Sequence, residues 1–522
     1  MSVLSRRSLF SLVLGLTACA STGEGPGDVC QEAIDVIAEC TGETPEYPEE
    51  GCVAEFEATA QAIVDAGCDG IGPDGKSDEL CNPIASFFGL CKELELSEAA
   101  RISSLDEVCP GSRNDELCNA LRAEDFPRAR DAARELAAGV NLTVGEVDPA
   151  LRYYMRERIV SLVVWHKLTA DGTQAAPAGY AQAAGAALDE HYPAYKDDPS
   201  QFALARTEMS PLSATNCTAH QVIVYFPGVV RGATLNELQP QLDAVRRDMP
   251  CLDAIRIETG NFLHPSVNAQ LAIETLAQFE DDADVRFHFI GYSQGSSTAL
   301  RTLVDAPQIA DKTLTSLGLN SAAHGSEVAN AMFDALEGAA DDSCATLPEF
   351  MRPTCRAAGD GLLGLVQKIS VAMAVPLDVQ ENLLGHLDGI RSLTTIEAAE
   401  FWDTRGVELP RHTLYTSFRS VISDADRNLP ISNRLFFKML ERVGGTNPFN
   451  DMQVRLPNQS IGGSVADREV ELAVAEGNHW QWELNTDDVD PNLMPAHMSE
   501  RTPQTSLALA YFKTLFELGI VF

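Results

Sequence analysis

At the centre of residues 287–304 stands Gly291-Tyr292-Ser293-Gln294-Gly295, preceded by Phe-His-Phe-Ile and followed by a run rich in small residues. A serine between two glycines suits nucleophilic chemistry when it sits on a sharp turn between a strand and a helix. The glycines allow backbone to approach where a side chain would collide. The helix start then brings N–H groups and a positive dipole end beside the reacting oxygen. Such a serine also needs a histidine to take its proton and a carboxylate to orient that histidine. Alone the motif is weak: with Gly and Ser each near 7%, a chain of this length yields roughly 0.2 chance matches. Its meaning depends on the elements around it.

Those elements are legible as alternating short apolar runs and helical patterns. Strands are expected at 221–226, 252–258, 285–290 and 314–320, and again at 412–418 and 469–476. Helices are expected at 235–247, 267–279, 296–304 and 506–518. Short buried strands alternating with helices predict an α/β fold with a mostly parallel sheet covered on both faces. Residues 324–400 read as a long helical insertion without strand signal. Ser293 falls where one strand ends and a helix begins, the place its chemistry requires.

From about residue 218 onward the chain resembles an α/β-hydrolase of the lipase and esterase type, with Ser293 at the nucleophile elbow. The Gly-Tyr-Ser-Gln-Gly form is also found in cutinase-like esterases, although this domain is longer and carries the helical insertion. The resemblance implies the triad order serine, acid, histidine along the chain. The base must lie on a loop at the C-terminal edge of the last strand. His220 and His412 precede strands, and His288 lies inside one. His264, His324 and His386 fall before or within the insertion. His479 follows the last strand directly and is the first candidate, with His497 as the alternative. The stretch Phe449-Asn450-Asp451-Met452-Gln453-Val454 is similar to the Asn-Asp-Gly-x-Val stretch that carries the acid in lipase-like members. That points to Asp451, with Met452 departing from the family's glycine. Asp424 and Asp426, just past the strand at 412–418, compete. One oxyanion donor is expected from the backbone of Gln294. The other is expected from the loop after the first strand, at Val229 or Gly228, because Pro227 has no N–H. The insertion would act as a lid, and no metal or organic cofactor is implied.

The chain has 522 residues, 76 acidic against 38 basic, for a net charge of −38. So acidic a surface repels phosphate backbones and argues against a nucleic-acid partner. Arg6, Arg7 and the apolar stretch 9–18 form an export signal too short to span a bilayer. It ends in Leu16-Thr17-Ala18-Cys19, which resembles a bacterial lipobox in which Cys19 becomes lipidated. Ser5-Arg6-Arg7-Ser8-Leu9-Phe10 also resembles a twin-arginine signal with Leu9 and Phe10 exchanged. These readings place the protein in the bacterial cell envelope, anchored to a membrane through Cys19.

The organisation expected is a signal peptide at 1–19, a linker at 20–27 and a helical cysteine-rich module at 28–122. A helical segment at 123–210 would pack on a hydrolase domain at 211–522. Of the 13 cysteines, 12 remain without Cys19, an even number that suits disulfide pairing in an oxidising compartment. Cys217 and Cys251 each precede a strand at one edge of the sheet and are expected to bond. Cys344 and Cys355 would close a local loop. The eight cysteines of the module allow 105 pairings. The spacing of Asp69, Asp74 and Asp78 does not fit an EF-hand.

Two functions fit this reading. The first is a serine hydrolase acting on small-molecule or lipid esters. The second is a catalytically inactive surface-binding or adhesion lipoprotein on a hydrolase scaffold, motivated by the cysteine-rich module. They differ in whether a histidine nitrogen lies within hydrogen-bond reach of Ser293.

Overall fold

The computed structural model describes residues 29–41, 61, 63–65, 94–140, 146–169, 178–195, 202–206, 219–229, 238–260, 262–330, 332–333, 387–423, 431–444, 446–482 and 504–521. Cys19, Cys217, Cys344, Cys355, Asp424, Asp426 and His497 lie outside these residues, as do the export signal, the linker, residues 334–386 and most of the cysteine-rich module.

The chain divides into two compact units. One comprises Met1–Glu95, Cys344–Gly361 and Lys438–Pro448. Within it, helix α1 (Val29–Thr41) buries Ala33 and Ile37, one turn apart on one face. The other unit comprises Leu96–Ser343, Leu362–Phe437 and Phe449–Phe522 and carries the sheet.

Six parallel strands form that sheet: β1 (His220–Phe226), β2 (Leu252–Arg256), β3 (Val285–Tyr292), β4 (Thr313–Leu319), β5 (Leu414–Val421) and β6 (Glu469–Glu476), in the order β2-β1-β3-β4-β5-β6. The flanking helices are α2 (Asp115–Arg122), α3 (Phe126–Val140), α4 (Pro149–Leu168), α5 (Tyr180–His191), α6 (Gln239–Asp248), α7 (Pro265–Leu276), α8 (Gln294–Asp305), α9 (Thr395–Thr404) and α10 (Gln504–Glu517). This is the parallel sheet flanked by helices on both faces expected from the sequence.

Alternation along the strands builds two cores. Ile223 and Tyr225 of β1, with Ile290 and Tyr292 of β3, pack against α4, α6 and α10. Val222, Val224 and Phe226, with Phe287 and Phe289, face the opposite way onto α7, α8 and α9. Successive side chains of a strand point to opposite faces, so strands covered on both sides must be apolar throughout. The sequence of α4 suggests a single apolar face. Instead Tyr153 to Trp165 are buried all round, including Arg156, Glu157 and Arg158. Arg158 Nε donates to Glu517 Oε2 of α10 at 2.7 Å, and Tyr154 Oη donates to Glu517 Oε1 at 2.7 Å, so the charges of Arg158 and Glu517 are paired.

A polar seam crosses this apolar sheet. His288 Nε2 donates to Gln221 Oε1 at 2.8 Å, and Thr315 Oγ1 donates to His288 Nδ1 at 3.0 Å. Full burial pushes His288 down to about 3, so it is neutral and ties β1, β3 and β4 in register. Near the N-terminal end of the unit, Cys109 and Cys118 form a disulfide. Cys251 is also disulfide-bonded.

Strand order sets the position of the site. The chain leaves β1 towards β2 on one side and returns to β3 on the other. The C-terminal ends of β1 and β3 therefore border the crevice where open parallel sheets bind ligands. Ser293 follows β3, and Gly228 and Val229 follow β1.

Candidate active site

Ser293 occupies the turn between β3 and α8 with φ 50° and ψ −122°, a conformation uncommon for any residue with a side chain. Sequence placed the following helix at 296, but α8 starts at Gln294, immediately after the serine. A serine at a helix start ordinarily accepts a hydrogen bond from its own first turn. Ser293 makes no such bond. Its hydroxyl points elsewhere, and its backbone is clasped by the turn after β4: Ser293 N donates to Leu319 O at 3.1 Å, and Ala322 N donates to Ser293 O at 3.2 Å.

The flanking glycines are required by contact with backbone. A Cβ on Gly291 would lie 2.5 Å from Ser296 Cα, and one on Gly295 would lie 2.0 Å from Phe226 O and 2.6 Å from Pro227 O. The end of β1 thus rests directly on the first turn of α8. A Cβ on Gly228 would lie 3.5 Å from Ser293 Cβ, which places the loop carrying Gly228 and Val229 beside the serine.

The Ser293 hydroxyl and His479 Nε2 are 2.9 Å apart, and His479 Nδ1 donates to Asp451 Oδ2 at 2.7 Å. Ser293 is 6% exposed, His479 1% and Asp451 0%. His479 starts a 3₁₀ turn, His479–Trp482, just beyond β6. Asn478 fixes that turn, its Oδ1 accepting from Trp480 N and Gln481 N at 3.0 and 3.2 Å. His479 N donates to Asp451 O at 2.9 Å, so histidine and acid are joined through backbone as well as side chain.

Asp451 lies in a tight turn in which Asn450 pairs with Arg455. Its Oδ1 accepts from Gln453 N at 3.0 Å and Val454 N at 2.7 Å. Its Oδ2 accepts from His479 and also from Asn320 Nδ2 at 3.2 Å. Met452 has φ 87°, the left-handed region that favours glycine. The departure from the family's glycine is therefore a residue held in the glycine conformation. Its side chain is 1% exposed, so burial offsets the backbone strain.

Three neighbours of this group escape a sequence reading. Tyr292 Oη donates to His479 O at 2.8 Å, and its ring lies 2.9 Å from where a Gly228 Cβ would stand. The Gln294 side chain donates to Leu263 O at 3.3 Å and Ser392 Oγ at 3.2 Å. Asn320 is the third. Its only sequence signal is position, the first residue past a buried strand at the same sheet edge as the elbow.

Of the remaining histidines, His220 lies at the opposite end of the sheet, with Nδ1 2.8 Å from Asp282 and Nε2 3.0 Å from Asp253. His412 Nε2 donates to Ala310 O at 3.0 Å. His264 accepts from Ser266 N at the start of α7, and His324 stacks on Trp402. Among the described residues no group of His, Cys, Asp or Glu could hold a metal ion, and no helix is long and apolar enough to cross a membrane.

No protein-family model and no curated protein sequence matches the chain. Among solved structures it is similar to the metagenomic carboxyl esterase MGS0156, at 18% identity and a TM-score of 0.43 over 59% of this chain and 79% of that one. It is also similar to the Bacillus licheniformis lipase BlEst2. The mature form gives 15% identity and a TM-score of 0.35 over 52% of this chain and 89% of that one. The propeptide form gives 16% and 0.34 over 52% and 49%. At identities this low the likenesses assign no role to any residue of the site.

Proposed function

We propose that this protein is an exported, lipid-anchored serine hydrolase that cleaves carboxylic esters. The observation that carries the reading is the hydrogen-bonded chain from the Ser293 hydroxyl through His479 to Asp451, buried at the C-terminal edge of the sheet. It favours the hydrolase over a binding protein, which has no need of an aligned serine and histidine.

In this reading Ser293 Oγ attacks the ester carbonyl while His479 Nε2 takes its proton. Asp451 holds the imidazole through Nδ1 and stabilises the imidazolium that forms. The oxyanion is met by Gln294 N–H, which begins α8 and so has no acceptor within the helix, and by the N–H of Val229 or Gly228. His479 then gives the proton to the leaving alcohol, and an acyl group remains on Ser293. Water activated by the same histidine releases the acid. Lipid attachment at Cys19 would hold this site at a membrane of the cell envelope.

The test is a panel of nitrophenyl esters of increasing acyl length, run on wild type and Ser293→Ala together, with a fluorophosphonate probe to label the nucleophile. The reading expects labelling at Ser293 and loss of turnover in Ser293→Ala for every ester. Wild-type turnover by Ser293→Ala would refute it.

A further inference from the structure

We propose that Asn320 is a positioning residue for the Asp451 carboxylate, holding it aimed at His479, and that it acts on the reaction only through Asp451. The inference rests on the hydrolase reading above and adds a residue to it.

Asn320 follows β4 and is fully buried. Its Nδ2 donates to Asp451 Oδ2 at 3.2 Å and to Ser420 Oγ at 2.6 Å. An ionised carboxylate only accepts hydrogen bonds, so the amide must present nitrogen, not oxygen, to Asp451. That orientation leaves Asn320 Oδ1 buried with no hydrogen-bond partner among the described residues. The backbone is also in the left-handed region, φ 42°. A buried amide, an unsatisfied acceptor and a left-handed non-glycine residue each cost stability. All three coincide on the one side chain other than His479 that, among the described residues, donates to Asp451. Local rules broken together at such a place point to function.

The carboxylate is buried, and among the described residues it is held by four donors: Gln453 N, Val454 N, His479 Nδ1 and Asn320 Nδ2. Two are backbone groups on Oδ1. Among the described residues, Oδ2 is shared by the histidine and Asn320 alone. Without Asn320, that oxygen would lose a donor, and the carboxylate would be held less firmly against His479. The same turn also holds the serine, since Leu319 O and Ala322 N bond the Ser293 backbone. Nucleophile and acid are therefore referenced to one rigid segment.

Asn320→Gly removes the amide and tolerates the left-handed backbone. On a short nitrophenyl ester, kcat is expected to fall about ten-fold with KM within about two-fold, as for loss of one hydrogen bond to a charged group. The acid limb of the kcat/KM profile should move, since the base then faces a carboxylate with one donor fewer. Added to Asp451→Asn, the same substitution should change kcat by less than about two-fold, because its target is gone. An additive loss in that background, or an unshifted pH profile, would overturn the proposal. Should Asn320→Gly not fold, Asn320→Asp retains volume and conformational tolerance. It would set an acceptor where Asp451 Oδ2 now meets a donor and lower kcat at least about ten-fold, whereas wild-type kcat would overturn the proposal. Ser293→Ala separates the two levels. If it is inactive while the Asn320 variants behave as wild type, only the role of Asn320 fails. If Ser293→Ala is fully active, the hydrolase reading fails and takes this proposal with it.

Discussion

Replacing Gly295 with alanine would place a methyl carbon where the end of β1 already lies. The added Cβ would meet Phe226 O at 2.0 Å, Pro227 O at 2.6 Å and Phe226 C at 2.7 Å. Carbon and oxygen tolerate about 3.0 to 3.4 Å at closest, so a gap of about 1 Å must open. Neither partner is a side chain that could rotate away. Helix α8 is fixed behind Ser293 by the bonds to Leu319 and Ala322, so the loop at 226–229 must yield. That loop carries Gly228 and Val229, the candidates for the second oxyanion donor. A donor displaced by about 1 Å costs on the order of 10²-fold in kcat, or roughly 2.7 kcal/mol of transition-state stabilisation. Overpacking should lower stability by about 1 to 3 kcal/mol, leaving folded protein to assay. The assay is kcat and KM on a short nitrophenyl ester, with a thermal melt of the same sample. Gly185→Ala is the control, since nothing lies within 4 Å of its added Cβ in α5. It should leave kcat unchanged and stabilise by up to about 1 kcal/mol. A Gly295→Ala protein with kcat within about three-fold of wild type and an unchanged melt would refute the reasoning.

Three further outcomes are expected. Asp451→Asn should lower kcat by roughly 10³ to 10⁴ with little change in KM, while Asp424→Asn and Asp426→Asn stay within about two-fold; the same kinetic assay decides between them. Met452→Gly relieves about 1 to 2 kcal/mol of backbone strain but loses a buried side chain worth about 2 to 5, so chemical denaturation should show a net loss of about 1 to 3 kcal/mol. His288 titrates at about 3 when folded, below its ordinary value because burial penalises the charged form. Its folded pKa is depressed, so the stability it confers is complete above about pH 6.5 and is lost as pH falls from there towards 3. The upper limit is roughly 3 kcal/mol lost by pH 4. Urea melts of wild type and His288→Gln across pH 4 to 7 should show the substitution flattening this dependence; parallel curves would contradict it.

The elements around the site were legible because each is a local pattern. β6 matches its expected limits at 469–476, and β1 to β5 lie within two or three residues of theirs. Short apolar runs between helical repeats need no long-range information to be recognised as buried parallel strands. The elbow was legible for the same reason, since strand, glycines and helix are consecutive. Boundaries slipped where tertiary contact overrides propensity. Helix α8 reaches back to Gln294 because the end of β1 and the turn after β4 hold Ser293 in the strained conformation that starts it.

Sequence by itself determined the class of fold and singled out a candidate serine with a short choice of candidate partners, all from properties of neighbouring residues. Only the tertiary structure decided which residues meet. Ser293 and His479 are separated by 186 residues, Asp451 and Asn320 by 131. Their approach depends on strand order, which brings the C-terminal ends of β3, β4, β5 and β6 to one edge. The bridge between Cys109 and Cys118, one member of a set for which the sequence leaves 105 connectivities open, was settled in the same way. So was the left-handed backbone at Met452, which no composition reveals. A residue's type fixes what chemistry it can do; its partner is fixed by how the rest of the chain closes around it.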